Sequence, residues 1–357
     1  MSGELAQVLA KAELLVTCGP GGVGKTTTAA ALGLAAARAG RRVVVVTVDP
    51  ARRLADALGM DDHSGQEPHV VVGAVDGPGS FAALMLDAEE TFDQLIRDRA
   101  GDAAESLLNN RVYRSIAGSL SGAQEYMAIE RLHQLHGSGL YDLVIIDTPP
   151  SRHAIDVLEA PDRLVAFLSH PVYRAVTIPT RSLARITNAA STAFLWTVKR
   201  LAGPKIVEET IEFFRSLATM EAGLRTRAAE MSALLRDERT AFVLVSSPRA
   251  EAIDEATFLA EALRSGKYRL GGIVVNLVHP MPPTLSLDPA DDDQLEGPLA
   301  HQVGYHRQLT ELATSERAQM QALLALADGA AVCEVPLLDH DVHDVDALAE
   351  LGALLTA

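Results

Sequence analysis

Cysteine is scarce in this chain, with two among 357 residues, Cys18 and Cys333, each inside an apolar run. That leaves no disulfide framework and no CxxC zinc pair, and it makes a reducing cytoplasm the expected setting. Positive charge is also short: 31 Lys and Arg stand against 47 Asp and Glu, a formal charge of −16. A nucleic-acid groove or an anionic membrane surface needs clustered Lys and Arg, so neither is expected as the main partner. Only a small local basic site remains compatible with that balance. Nor is there an apolar run near the roughly 20 residues of a membrane span, and the early apolar run is too short for a signal-peptide core. A soluble protein is expected, with at most peripheral membrane contact. Aromatic residues make up 4%, while 48% of the chain is hydrophobic, which favours helices packed on an aliphatic sheet.

Aliphatic runs recur at Leu14–Cys18, Val43–Val48, Val70–Val75, Leu143–Thr148, Ala241–Ser247, Gly272–Val278 and Ala331–Val335. Near-continuous Val/Ile/Leu without alternation predicts strands buried on both faces, hence a mainly parallel sheet. Between the first two runs, TTTAAALGLAAARAGRR predicts a helix ending at Gly40. The expected fold is α/β: a doubly wound, mainly parallel sheet with an inserted helical subdomain. Residues 1–86, 140–160 and 241–357 are assigned to the sheet core, and 87–139 and 161–240 to the helical part. The latter concentrates Phe194, Leu195, Trp196, Val198, Ile206, Ile211, Phe213 and Phe214. These side chains either pack helix on helix or line a groove for an apolar client. Met281–Pro298, with four prolines and a run of acids, is expected to be a surface loop.

The strongest chemical signal is Gly19-Pro20-Gly21-Gly22-Val23-Gly24-Lys25-Thr26, which fits GxxxxGK(S/T) between a predicted strand and a predicted helix. Glycines there let successive backbone N–H groups face phosphate oxygens, and the helix start adds partial positive charge. Lys25 is expected to reach the terminal phosphates and the Thr26 hydroxyl to ligate Mg2+, so the expected sheet is that of a P-loop NTPase, with residues 1–86, 140–160 and 241–357 its nucleotide-binding core.

Asp49-Pro50-Ala51-Arg52-Arg53-Leu54 follows the second strand, whose end topology brings to the phosphate side. Asp49 can orient or deprotonate an attacking water; the alternative is an Asp-Pro turn capping the next helix. Leu143-Val144-Ile145-Ile146-Asp147 is an apolar strand ending in an acid, as a Walker B strand does. Asp147 is expected to hold Mg2+ through water, which makes Thr26, Asp49 and Asp147 the expected metal set. Ser151, Arg152 and His153 then form a second loop able to sense a terminal phosphate. The run Asp339-His340-Asp341-Val342-His343-Asp344 is read as an exposed acidic loop and not as a metal site.

Taken together, these residues resemble the deviant Walker ATPases of the arsenite-pump and tail-anchored-protein-targeting type. The resemblance spans residues 14 to 345. It equates Gly19–Thr27 with the family's phosphate loop, Asp49–Ala51 with its first switch and Asp147–His153 with its second. It implies an adenine contact from Asn276 and a base-side loop at Pro336-Leu337-Leu338. It further implies ATP with Mg2+ as cofactors, a cytoplasmic dimer, and a hydrophobic protein or lipid client on the helical layer. GTP is not expected, since no NKxD element follows a strand. Three departures stand out. Neither the zinc CxxC nor the metalloid-binding cysteines have counterparts, Arg52, Arg53 and Arg152 occupy switch positions usually held by other residues, and Pro20 replaces the signature lysine that reaches across the dimer. The expected function is an ATP-hydrolysing switch. Its alternative is a weakly active nucleotide-binding subunit of a heterodimer with a lysine-bearing paralogue.

Overall fold

The computed structural model describes residues 3–48, 53–58, 67–71, 73–101, 104–110, 113, 123–150, 152–171, 173–174, 204–285 and 297–357. The aliphatic runs become strands: β1 (Leu14–Cys18), β2 (Arg42–Thr47), β3 (His69–Val70), β4 (Ser80–Met85), β5 (Leu143–Asp147), β6 (Thr240–Ser246), β7 (Leu270–Val278) and β8 (Ala331–Pro336). They form one sheet in the order β3-β4-β2-β5-β1-β6-β7-β8. Every pairing is parallel except β3 with β4. Every position of β1, β5 and β6 is buried, as expected for central strands covered on both faces.

Because successive strand side chains face opposite ways, one strand feeds two cores. In β2, Val43 and Val45 join one cluster while Val44 and Val46 join the other. The first core is closed by α1 (Glu4–Lys11), α2 (Lys25–Arg38) and α11 (Val345–Thr356). Gly33 lets α2 approach the sheet: a Cβ there would lie 2.7 Å from Val45 and 2.9 Å from Phe81. Across α2, Gly352 of α11 sits where a Cβ would meet the Ala31 carbonyl at 2.9 Å. Fully buried leucines such as Leu32 and Leu34 each contribute about 1.5–3 kcal/mol to this layer.

The remaining helices are α3 (Arg53–Leu58), α4 (Ala88–Arg99), α5 (Ala104–Leu108), α6 (Ala123–Gly137), α7 (Arg152–Ser169), α8 (Pro204–Leu235), α9 (Ala250–Ser265) and α10 (Gly297–Leu324). Residues of α6, α7, α8, α9 and α10 share one continuous core with the second sheet face. Within that layer Glu130, almost fully buried, is held by Arg227 Nε at 2.9 Å and by the Tyr126 hydroxyl at 3.1 Å. Both intervals expected to be helical hold helices. Helix α7 runs unbroken through residues 160 and 161, with Pro161 in its interior.

One expected strand is corrected. The run at Val70–Val75 gives only the two-residue β3 at the sheet edge. The substantial strand there is β4, whose SFAALM sequence carries no β-branched residue. Burial of Phe81 and Leu84 and the parallel ladder on β2 override its weak propensity.

Of the bulky apolar residues picked out in the helical part, Phe213 is buried with Ile96, Leu107 and Tyr113. Phe214 packs against Phe213, Phe167 and Tyr173, with ring centroids 5.2, 6.2 and 6.0 Å apart. Phe194, Leu195, Trp196 and Val198 lie outside the described residues.

Candidate nucleotide site

The loop between β1 and α2 lies at the carboxyl ends of the parallel strands, beside the central strand, where open α/β sheets hold their ligands. Three of its glycines have positive φ: Gly19 at 153°, Gly22 at 74° and Gly24 at 88°. Space forbids a side chain at Gly19, and at Gly24 one would have to displace the Asn276 carboxamide. A Cβ on Gly19 would lie 1.9 Å from the Val245 carbonyl oxygen, and one on Gly24 would lie 2.5 Å from Asn276 Nδ2. Gly22 faces open space, with nothing within 4 Å of its would-be Cβ. Gly21, whose Cβ would meet Pro150 at 3.7 Å, brings the loop against the segment after β5. Val23 is buried and anchors the loop from beneath, and Thr27 is half-buried.

Gly24 caps α2 without a side-chain hydrogen bond, so the first-turn N–H groups are not claimed by a capping side chain. Such a helix start is an anion site by charge and by donor geometry. Lys25 is 7% exposed, and its Nζ donates to the Pro20 carbonyl at 2.7 Å, folding the ammonium over the loop.

Thr26 Oγ1 donates to Asp147 Oδ2 at 2.6 Å. The same oxygen accepts from Thr47 Oγ1 at 3.1 Å. Sheet register produces this meeting, because Asp147 on β5 pairs laterally with Thr47 on β2 and with Thr17 on β1. Thr148 then donates to the Thr17 carbonyl at 2.8 Å, tying down the chain just past Asp147. A carboxylate 1% exposed beside two hydroxyls is an all-oxygen donor set, and hard divalent cations take oxygen ligands. Thr26 and Asp147 therefore fit the Mg2+ role expected of them. Cys18, at the end of β1, is buried, and burial pushes its thiol up to about 12, against an opposing effect of Lys25, which disfavours the thiolate.

Asn276 reaches the same loop from β7. Its Nδ2 donates to the Val23 carbonyl at 3.0 Å, and its Oδ1 accepts from the Leu277 N–H at 2.9 Å. Leu277 has φ of 63°, a left-handed conformation uncommon for a branched residue, and the β7–β8 register shifts between Val275 and Val278. Beyond the irregularity the Leu337 N–H donates to the Val278 carbonyl at 2.9 Å, which sets Pro336-Leu337 beside the end of β7. The structure thus gathers Gly19 to Thr27, Asp147 and Asn276 in one place, with Pro336 and Leu337 at its margin.

Asp49, Pro50, Ala51, Arg52 and Ser151 lie outside the described residues. Arg53 and Arg152 begin α3 and α7 respectively, and His153 follows in α7. At the acidic run 339–344, Asp344 caps α11 by accepting from the Ala347 N–H at 2.8 Å. No group of three or more His, Cys, Asp or Glu side chains placed to hold a metal occurs among the described residues.

Two contributions escaped the reading of the sequence. Thr47 left only a faint signal, a hydroxyl two residues before Asp49 in a valine run. Glu316, on α10, left none: it bonds both the backbone N–H and the ring of His279, 37 residues away in the chain.

A sequence model of the family described as anion-transporting ATPase matches residues 12–357. An uncharacterized protein of Streptomyces coelicolor is 33% identical over 294 residues, 81% of this chain and 66% of its own length. This chain thus spans just under two thirds of that relative. The ATPase get3 of Pyrenophora tritici-repentis is 24% identical over 94% of this chain and 89% of its own. The ATPase GET3C of Arabidopsis thaliana is 26% identical over 94% and 80%. No helix among the described residues is long and apolar enough to cross a membrane. With a family match over nearly its whole length and a phosphate loop seated where the α/β sheet requires it, the chain belongs to the anion-transporting ATPase family.

Proposed function

We propose that this chain binds ATP with Mg2+ and hydrolyses it to ADP and phosphate, using the nucleotide state to control a partner. The observation that carries this reading is the Thr26–Asp147 hydrogen bond of 2.6 Å beside Lys25, at a helix start with no side-chain cap. In this reading the first-turn N–H groups and Lys25 bind the phosphate chain and oppose the charge that spreads over the transferred phosphoryl oxygens. Thr26 and Asp147, with Asp49, hold the Mg2+ shell. Mg2+ held there would supply positive charge against the phosphate oxygens. Asp49 positions the attacking water. Asn276, Pro336 and Leu337 form the base side of the site.

Support for control of a partner comes from the resemblance to ATPases named for a pump and for targeting, and from the helical layer packed directly on the sheet. Residues 87–139 and 161–240 are the proposed client-binding part, and a hydrophobic protein or lipid the proposed client, in a cytoplasmic dimer. The test is steady-state ATPase of the purified chain beside its Lys25→Ala and Asp49→Asn variants. Lys25→Ala should weaken nucleotide binding about 100-fold, while Asp49→Asn should keep binding and lose turnover. Hydrolysis unchanged in Asp49→Asn removes that residue from the reaction.

A second reading is favoured by Pro20, which is buried and gives its carbonyl to Lys25. Proline carries no charge to a partner's nucleotide, and a finger of that kind contributes about 10³ or more in rate. On this reading the chain alone turns over slowly and works in a heterodimer whose other subunit keeps the lysine. Mixing with a lysine-bearing paralogue from the same cell should then raise hydrolysis. Fast hydrolysis by the chain alone, surviving Arg52→Ala and Arg53→Ala, defeats it.

A further inference from the structure

We propose that Glu316 is a positioning residue for the nucleotide site, acting through His279 to keep Asn276 seated on the phosphate loop. The proposal rests on the nucleotide-binding reading above and names a residue that touches neither phosphate nor base.

The observations form a connected chain. Leu277 is held at φ 63°, immediately after Asn276 and inside the break in the β7–β8 register. A leucine keeps such a backbone only when its surroundings over-determine it. On the upstream side Asn276 does so, accepting from the Leu277 N–H and donating to the Val23 carbonyl. On the downstream side the grip comes from α10. Glu316 is 8% exposed, and its Oε2 accepts from the His279 N–H at 2.9 Å. Its Oε1 lies 2.7 Å from His279 Nδ1, which donates when the proton is on that nitrogen. The next residue, Arg317, donates from Nη1 to the His279 carbonyl at 3.2 Å. Adjacent helix residues therefore clamp the N–H, the carbonyl and the ring of His279.

With His279 fixed and Val278 bonded to Leu337, the two residues between Val275 and Val278 have no freedom to return to regular strand. The Asn276 carboxamide stays directed at Val23, with its Nδ2 2.5 Å from where a Gly24 Cβ would stand. Releasing Glu316 lets Leu277 relax toward an extended conformation, which swings Asn276 off the loop. Affinity for nucleotide then falls although no ligand contact has been removed directly.

The test is titration calorimetry of ADP with Mg2+ on the full chain, with urea unfolding of the ligand-free proteins as the check on folding. Glu316→Ala should raise the ADP Kd about tenfold. Glu316→Gln, which keeps an acceptor for the N–H and offers an amide to the ring in its other tautomer, should stay within about twofold. Because both residues act through one seat, adding Glu316→Ala to Asn276→Ala should weaken binding no further than Asn276→Ala alone. An ADP Kd for Glu316→Ala equal to the wild type, or losses that multiply in the double variant, overturns the proposal. Should Glu316→Ala not fold, His279→Ala, which removes only the ring bond, should still cost about threefold, and its failure to do so overturns the proposal equally. A wild-type chain that does not bind ADP removes the nucleotide reading itself, an outcome distinct from intact binding that Glu316 does not influence.

Discussion

The Thr26 hydroxyl and the Asp147 carboxylate, 121 positions apart, meet at 2.6 Å and join the first turn of the phosphate-loop helix to the end of β5. Thr47 completes the arrangement from β2 at 3.1 Å. Thr26→Ala and Asp147→Asn should each abolish the gain in ADP affinity that Mg2+ confers, a loss of about tenfold or more. Thr47→Val, close in shape, should reduce that gain several-fold, and Thr47→Ser should restore it. Calorimetry with Mg2+ and with EDTA separates the metal-dependent part from the rest. A Thr47→Val protein with full Mg2+ dependence would show that its hydroxyl has no share in orienting Asp147.

The loop glycines should differ in a predictable order. Gly22→Ala meets no atom and bears only the cost of a left-handed alanine, about 1–2 kcal/mol. Gly19→Ala drives a methyl into the Val245 carbonyl of the central sheet and should cost about 3 kcal/mol or more. Urea unfolding midpoints rank the two, and the reverse order would contradict the loop geometry.

Inside the helical layer, Arg227 and Glu130 have side chains 11% and 2% exposed. Arg227→Ala strands a buried carboxylate and should destabilise the chain by about 3–5 kcal/mol. Replacing both partners by apolar residues of matching volume should recover most of the loss. An Arg227→Ala protein as stable as the parent would show that water already solvates Glu130.

Asp142 lies at the opposite end of the sheet, where the side chain and N–H of Arg42 pull its carboxyl down to about 2. Its folded pKa lies below its unfolded one, so its contribution to stability is complete above the ordinary carboxylate range near 4. It fades as pH falls towards 2. The stability gap between wild type and Asp142→Asn should therefore be small, since both groups are largely solvated, and should close over that window. A gap that widens on acidification would reverse the assigned sign.

The central strands and the phosphate loop were legible from residues alone, because each signal is local. Unbroken aliphatic runs have no polar face to show to water, so β1, β2, β5, β6 and β7 could only be buried. The glycine-rich loop ending in Lys25-Thr26 needs its composition wherever it occurs, since positive φ and close backbone approach exclude side chains. Asp147, at the end of an apolar strand, followed from strand topology. What the tertiary structure alone decided is non-local. Strand β4 is a strand because β2 offers it a ladder and the core takes Phe81, not because Ser80–Met85 favours extended backbone. Thr47 matters only because parallel register places it opposite Asp147. Asn276 is expected to contact a base, and the packing adds two hydrogen bonds that no pattern shows, to Val23 and Leu277 beside the register break in β7. Glu316 and His279 are 37 residues apart and share no pattern, and only the packing of α10 beside the end of β7 brings carboxylate to imidazole. A motif states what a backbone must be made of; which distant side chains then hold that backbone is settled by the packing of the elements around it.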